Sequence, residues 1–176
     1  MKRYLLILLS SVLLFACSKD SSNKAETYGT TLNTWTFKEG NSVYNGQLLL
    51  NGASLNTYLQ SNNSYTFSML GAEKSSGFLF NLILSLVDLN FTQKQYQSGI
   101  SGNDYLNAFY YTDSPASVDN IYKSSNLDPG PVMNYTITAY DVNKDIVTIE
   151  FSGQAQRADG TLATITNGKV TAQIER

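Results

Sequence analysis

Large apolar side chains recur at every second position through most of the chain, and that period belongs to half-buried β-strands. Trp35 and Phe37 share one face and Thr34 and Thr36 the other, before Glu39-Gly40-Asn41 turns the chain. Tyr65, Phe67 and Met69 alternate with Thr66 and Ser68 in the same way, after the turn-rich Ser61-Asn62-Asn63-Ser64. Asn51-Gly52 separates two short runs, 47–50 and 54–59, and reads as a hairpin turn. The last third is patterned most clearly. Met133, Tyr135, Ile137 and Ala139 share a face; Asp141 to Asp145 turn; then Val147, Ile149 and Phe151 share the next. Ala158-Asp159-Gly160 turns again, and 162–166, Asn167-Gly168 and 169–174 read as a final hairpin with Val170, Ala172 and Ile174 on one face. Residues 78–87 are apolar on both faces. Leu79, Leu82, Ile83 and Leu86 would also fit a helix, but ten residues without strong caps favour a strand covered on both sides. About nine antiparallel strands, ending in a C-terminal meander, predict an all-β sandwich or partly open barrel. Trp35 is expected in its core, where truncation to Ala would cost about 3–5 kcal/mol.

The N-terminus departs from this pattern. Lys2 and Arg3 precede an apolar run over 4–15, which is too short for the roughly 20 residues of a membrane-spanning helix. Basic flank, short apolar core and a small residue at the cut make a secretory signal. Leu14-Phe15-Ala16-Cys17 resembles the lipobox of bacterial lipoproteins, and Cys17 is the only cysteine. The resemblance implies a signal peptide over 1–16, diacylglycerol on the Cys17 thiol, and an acylated amine. Residues 17–27 then form a polar tether and 28–176 a single domain. One acyl chain binds a bilayer only reversibly, at about 0.8 kcal/mol per methylene, whereas two or three hold a protein there. Ser18 after the cysteine looks like the default for outer-membrane sorting, with the periplasmic and cell-surface faces both open. The tether's Lys19-Asp20 is similar to the start of a surface-export signal.

Charge and composition remove several classes of function. After the signal, 10 basic and 14 acidic residues leave a net charge of −4, and no basic run occurs, so nucleic acid is not an expected partner. The chain has no His. That removes the usual general base, the usual zinc ligand, and the standard serine and cysteine triads. Ser21 and Lys24 have the Ser-x-x-Lys spacing but lie in the tether. Asp141-Val142-Asn143-Lys144-Asp145 opens like a calcium loop, yet Ile146 and Ser152 stand where that loop needs Gly and Glu. Glu150, mid-strand opposite the Val147–Ile149–Phe151 face, reads as a solvent-facing acid and as the acid of greatest interest for a two-carboxylate hydrolase. No catalytic residue, metal or cofactor is expected, and the protein reads as a non-enzyme.

The best lead for a ligand lies further along. Five of the twelve tyrosines fall between Tyr96 and Tyr122, interleaved with Asn and Asp, beside a long loop over 113–131 that carries Pro115, Pro129 and Pro131. Tyr rings beside amides suit glycan binding, since a ring covers the apolar face of a sugar while amides bond its hydroxyls. Tyr105, Tyr110, Tyr111 and Tyr122 are the candidate contacts. Tyr is equally a good strand residue. Alternation also keeps Tyr110 off the face of Tyr105 and Tyr111: either Tyr110 goes inward, or Phe109 does and takes Tyr105 and Tyr111 with it.

Within residues 132–174 a strand ends in an Asp turn (137–141), a strand is centred on Phe (Ile149-Glu150-Phe151), and Ile165-Thr166-Asn167-Gly168 follows. In these features the segment resembles a family of uncharacterised Bacteroidota all-β lipoproteins. Upstream, Trp35-Thr36-Phe37 before a Gly turn is also similar. The resemblance implies an all-β lipoprotein and transfers no site residue. Three functions follow: a membrane-anchored domain that binds a glycan, another ligand or a protein, or is structural; a lipocalin-like binder of a small apolar ligand; or a carboxylate hydrolase.

Overall fold

A computed structural model describes residues 31–49, 52–56, 65–100, 106–113, 120–128 and 130–175. Cys17, the tether, residues 57–64, Tyr105 and, within the expected 113–131 loop, residues 114–119 and 129 lie outside them; that loop is also interrupted by a strand over Asn120–Ser125. The described residues form eleven strands and no α-helix: β1 (Thr34–Glu39), β2 (Ser42–Leu48), β3 (Ala53–Asn56), β4 (Tyr65–Glu73), β5 (Leu79–Leu86), β6 (Gln95–Ser98), β7 (Ala108–Thr112), β8 (Asn120–Ser125), β9 (Met133–Asp141), β10 (Ile146–Arg157) and β11 (Leu162–Glu175).

Eight strands close a barrel in the order β1, β11, β10, β8, β7, β5, β4, β2 and back to β1, every pair antiparallel. The expectation of a sandwich or partly open barrel is corrected by this closure. It rests on two short ladders, Gly46↔Glu73 to Leu48↔Gly71 between β2 and β4, and Gln156↔Lys123 with Arg157↔Tyr122 between β10 and β8. Three strands lie outside the ring. β3 runs parallel to the end of β11 and antiparallel to β4. β9 pairs with β10, completing the expected C-terminal meander, and β6 pairs with β9.

Eight strands leave a bore just wide enough for side chains to fill, and here it is filled by rings. Trp35 stacks on Phe80 at 4.7 Å with planes 8° apart. Phe37 meets Phe109, Tyr111, Tyr122 and Phe151 at 5.3–6.4 Å. Trp35 is buried as expected, and glycines make room for it. A Cβ on Gly71 would lie 2.3 Å from Trp35 Nε1, and one on Gly46 would lie 2.7 Å from Trp35 Cζ2. The strand expected within 78–87 is β5 (Leu79–Leu86): Phe80, Leu82, Leu84 and Leu86 line the bore, while Leu79, Asn81 and Ile83 sit half-buried on the outer face.

Two Asn-Gly pairs behave differently from expectation. Asn167-Gly168 does not turn the chain; β11 runs straight through it. Asn167 has φ +52°, and two residues of β11 stand opposite Ser152 alone, so the pair makes a β-bulge. A hairpin turn and a bulge both need a positive φ, which Asn tolerates, and here the long ladder to β10 selects the bulge. At the other pair Asn51 is outside the described residues. β2 and β3 that flank it do not pair with each other, and Gly52 packs so closely on Gln173 that a Cβ would lie 2.0 Å from its carbonyl oxygen. A second bulge, at Thr138, puts Ala139 out of phase, exposed instead of inside with Ile137.

The topology gives the barrel two distinct ends. The β1–β2, β4–β5, β7–β8 and β10–β11 connections all lie at one end. The start of β1 and the end of β11 lie at the other, tied by Gln173 N–H donating to Asn33 Oδ1 at 2.8 Å. The chain that leads back to Cys17 therefore enters the barrel at the end opposite these four hairpins.

Candidate functional site

The four candidate tyrosines do not come together as one surface. Phe109 anchors the bore and carries Tyr111 inward with it, and Tyr122 faces it from β8. Tyr110 stands half-buried on the outer face, between Asn81 and Lys123 of the neighbouring strands. Tyr105 is outside the described residues. Tyr111 and Tyr122 join Tyr44 in a ring cluster near the hairpin end, with Tyr44 and Tyr122 hydroxyls 3.0 Å apart. Beside it Arg157 pairs with Glu39 at 2.6 Å. Burial pushes the phenols of Tyr111 and Tyr122 well above their ordinary range, with the Glu73 carboxylate and the Tyr44 hydroxyl respectively adding to it. Glu150 faces solvent, 3.8 Å from Lys169 on β11.

A different site forms along β6. Asp88 opens the segment by accepting backbone N–H groups of Asn90 at 2.7 Å and Thr92 at 3.3 Å, and the Thr92 hydroxyl as well. These bonds hold its carboxyl below the usual range. The turn they fix puts Phe91 at φ +53° and drops its ring into the core against Phe67 and Tyr140. The chain then alternates: Tyr96 and Ser98 face inward, while Gln93, Gln95 and Gln97 are exposed.

Buried hydroxyls bind this strand to the barrel. Ser98 Oγ lies 2.7 Å from Ser124 Oγ on β8 and 2.8 Å from Tyr135 Oη on β9. Ser124 donates to Pro131 O at 2.6 Å. A carbonyl only accepts and each hydroxyl has one proton, so the order is fixed: Tyr135 donates to Ser98, Ser98 to Ser124, and Ser124 to Pro131. Burial raises the Tyr135 phenol far above its usual range, which keeps it the neutral donor this order requires.

Among the described residues β6 has β9 on one side only. Ile137 N–H donates to Lys94 O at 2.8 Å, so alternation turns the N–H and C=O of Gln95 and Gln97 away from β9. Both carbonyls are capped by side-chain amides, Gln95 O by Gln93 Nε2 at 2.8 Å and Gln97 O by Asn107 Nδ2 at 3.0 Å. Asn107 is itself buried, and its Oδ1 accepts Ser85 N–H at 2.9 Å. Such caps blunt an edge against strand addition, which needs free carbonyls as well as free N–H groups.

Between this edge and the ends of β5 and β7 lies a cleft of about 710 Å³. Its polar wall comes from Gln93, Gln95, Gln97, Asn107, Asn134 and Thr136, with Ser85 at the β5 side; Val87, Tyr96 and Tyr135 complete it. None of these residues carries a formal charge at neutral pH. Gln97 Nε2 donates to Asn134 Oδ1 at 2.7 Å across the β6–β9 pair. Asn107 is one of the amides interleaved with the tyrosines in the sequence, and the Gln93, Gln95, Gln97 alternation is the one local sequence signal for this wall. Among the described residues no group of three or more acidic or cysteine side chains could hold a metal ion, and no helix is long and apolar enough to cross a membrane.

No protein-family model matches the chain, and no curated protein or solved structure matches it either.

Proposed function

We propose that this protein is a non-catalytic, membrane-anchored binding domain that holds an uncharged glycan in the cleft along β6. The supporting observation is the wall of that cleft: side-chain amides and hydroxyls without a formal charge, next to two backbone N–H groups turned away from β9. Paired donors and acceptors of this kind match sugar hydroxyls and acetamido groups, whereas a charged ligand would find no counter-charge. Strand addition by a peptide fits less well, because Gln93 and Asn107 already occupy the carbonyls. The anchor is Cys17: its thiol takes a diacylglycerol, residues 1–16 are then removed and the new amine is acylated, and the lipid holds the domain at the outer membrane, as the lipobox-like setting suggests. An apolar ligand in the bore, the lipocalin-like alternative, would have to displace the contacting rings of Trp35, Phe37, Phe80 and Phe109.

The test is a screen of the detergent-solubilised lipoprotein against neutral and charged glycans, followed by calorimetric titration of the best ligand. Asn134→Ala and Gln97→Ala should each weaken binding about three- to tenfold, the value of one or two neutral hydrogen bonds. A preference for charged glycans, or binding indifferent to both variants, would overturn the assignment.

A further inference from the structure

The cleft along β6 does not end at β9. A second concavity, of about 660 Å³, shares Asn134 and Thr136 with it and continues over the outer face of β10 and β11. Strand register explains the continuity. Gln95, Thr136, Glu150 and Lys169 are successive cross-strand partners, so their side chains form one row on the outer face. Gln97, Asn134 and Ser152 form a second row beside it. The second row meets β11 at the Asn167 bulge, where the extra residue bends the strand. The two rows cross four strands, which spans about 14 Å at the usual interstrand spacing. The only charges on them, Glu150 and Lys169, stand 3.8 Å apart and cancel.

Resting on the glycan reading of the first cleft, we infer that the ligand is a linear, uncharged polysaccharide laid across the strands, with its chain continuing from the β6 cleft over β10 to β11. A trough this long exceeds one sugar ring, and both rows offer hydroxyl, amide or paired-charge side chains at every strand they cross. The pair of exposed Glu150 and half-buried Lys169, 3.8 Å apart at the surface, contributes little to stability on its own, so its two groups can turn toward sugar hydroxyls.

The experiment uses the detergent-solubilised lipoprotein and malto-, cello- and chito-oligosaccharides of one to six units. In the series that binds, the Kd should fall at least tenfold between the disaccharide and the hexasaccharide. In the Glu150→Ala/Lys169→Ala double variant the hexasaccharide Kd should rise to that of the wild-type protein for the disaccharide. A length-independent Kd that Asn134→Ala still raises would overturn the extended trough and leave the first cleft standing. A length gain that survives in the double variant would overturn the path over β10 and β11. No binding by any series would overturn both readings.

Discussion

Asn107 donates its side-chain amide to Gln97 O at 3.0 Å and so ties the start of β7 to the open edge of β6. The same side chain accepts Ser85 N–H through Oδ1, so one buried amide positions three walls of the cleft. Asn107→Leu fills the same volume and removes both bonds, leaving a buried N–H and a carbonyl without partners. The expected loss is about 2–4 kcal/mol, seen as a lower denaturation midpoint, together with weaker glycan binding. A variant as stable as the wild type would show that Asn107 does not hold the edge.

The buried hydroxyl chain makes an asymmetric prediction. Tyr135 only donates into it, so Tyr135→Phe removes one bond and leaves Ser98 its own acceptor; about 1 kcal/mol should be lost. Ser124→Ala strands both the Ser98 proton and the Pro131 carbonyl, and should cost about 2–3 kcal/mol despite deleting one atom. Equal losses in urea denaturation would contradict this hydroxyl chain.

How much of this was legible in the sequence follows from the physics of each element. Strands with one wet face, such as Thr34–Glu39 and Ile146–Arg157, announce themselves through alternation, as does the strand nature of Leu79–Leu86 through its length. Barrel closure does not. It depends on three residue pairs between β2 and β4 and two between β8 and β10, partners far apart in the chain that leave no local pattern. Asn167-Gly168 reads as a turn in the sequence because a turn and a bulge need the same backbone. Tyr111 and Tyr122 carried no mark of direction until Phe109 was placed. The cleft joins residues 85, 93–97, 107 and 134–136, and only its three alternating glutamines were visible locally.

Buried phenols set the alkaline limit of the fold. Burial pushes Tyr96 up to about 12, with the Asp88 charge adding to it, and Tyr111, Tyr122 and Tyr135 are raised further by burial. Unfolded tyrosines ionise near about 10. Above that pH the unfolded chain sheds protons that the folded protein keeps, so the stability these groups contribute is intact below about pH 10 and is lost as pH rises through 12. Denaturation midpoints should fall steadily above pH 10, with these phenols titrating only as the protein unfolds. A flat midpoint to pH 12 would contradict their burial.

Anchoring is tested at Cys17. In cells fed a palmitate analogue, the wild-type chain should be labelled and cut before Cys17, and Cys17→Ser should be neither. Equal labelling of both would remove the lipid anchor from the proposed function.

Binding along β6 has one direct readout, the backbone amide resonances of the domain during titration with the best neutral glycan. The account predicts that the N–H signals of Gln95 and Gln97 and the side-chain amide of Asn134 shift first and saturate together, while signals from the hairpin end stay still. Shifts concentrated at Tyr44, Tyr111 and Tyr122 with Gln95 and Gln97 unmoved would contradict it.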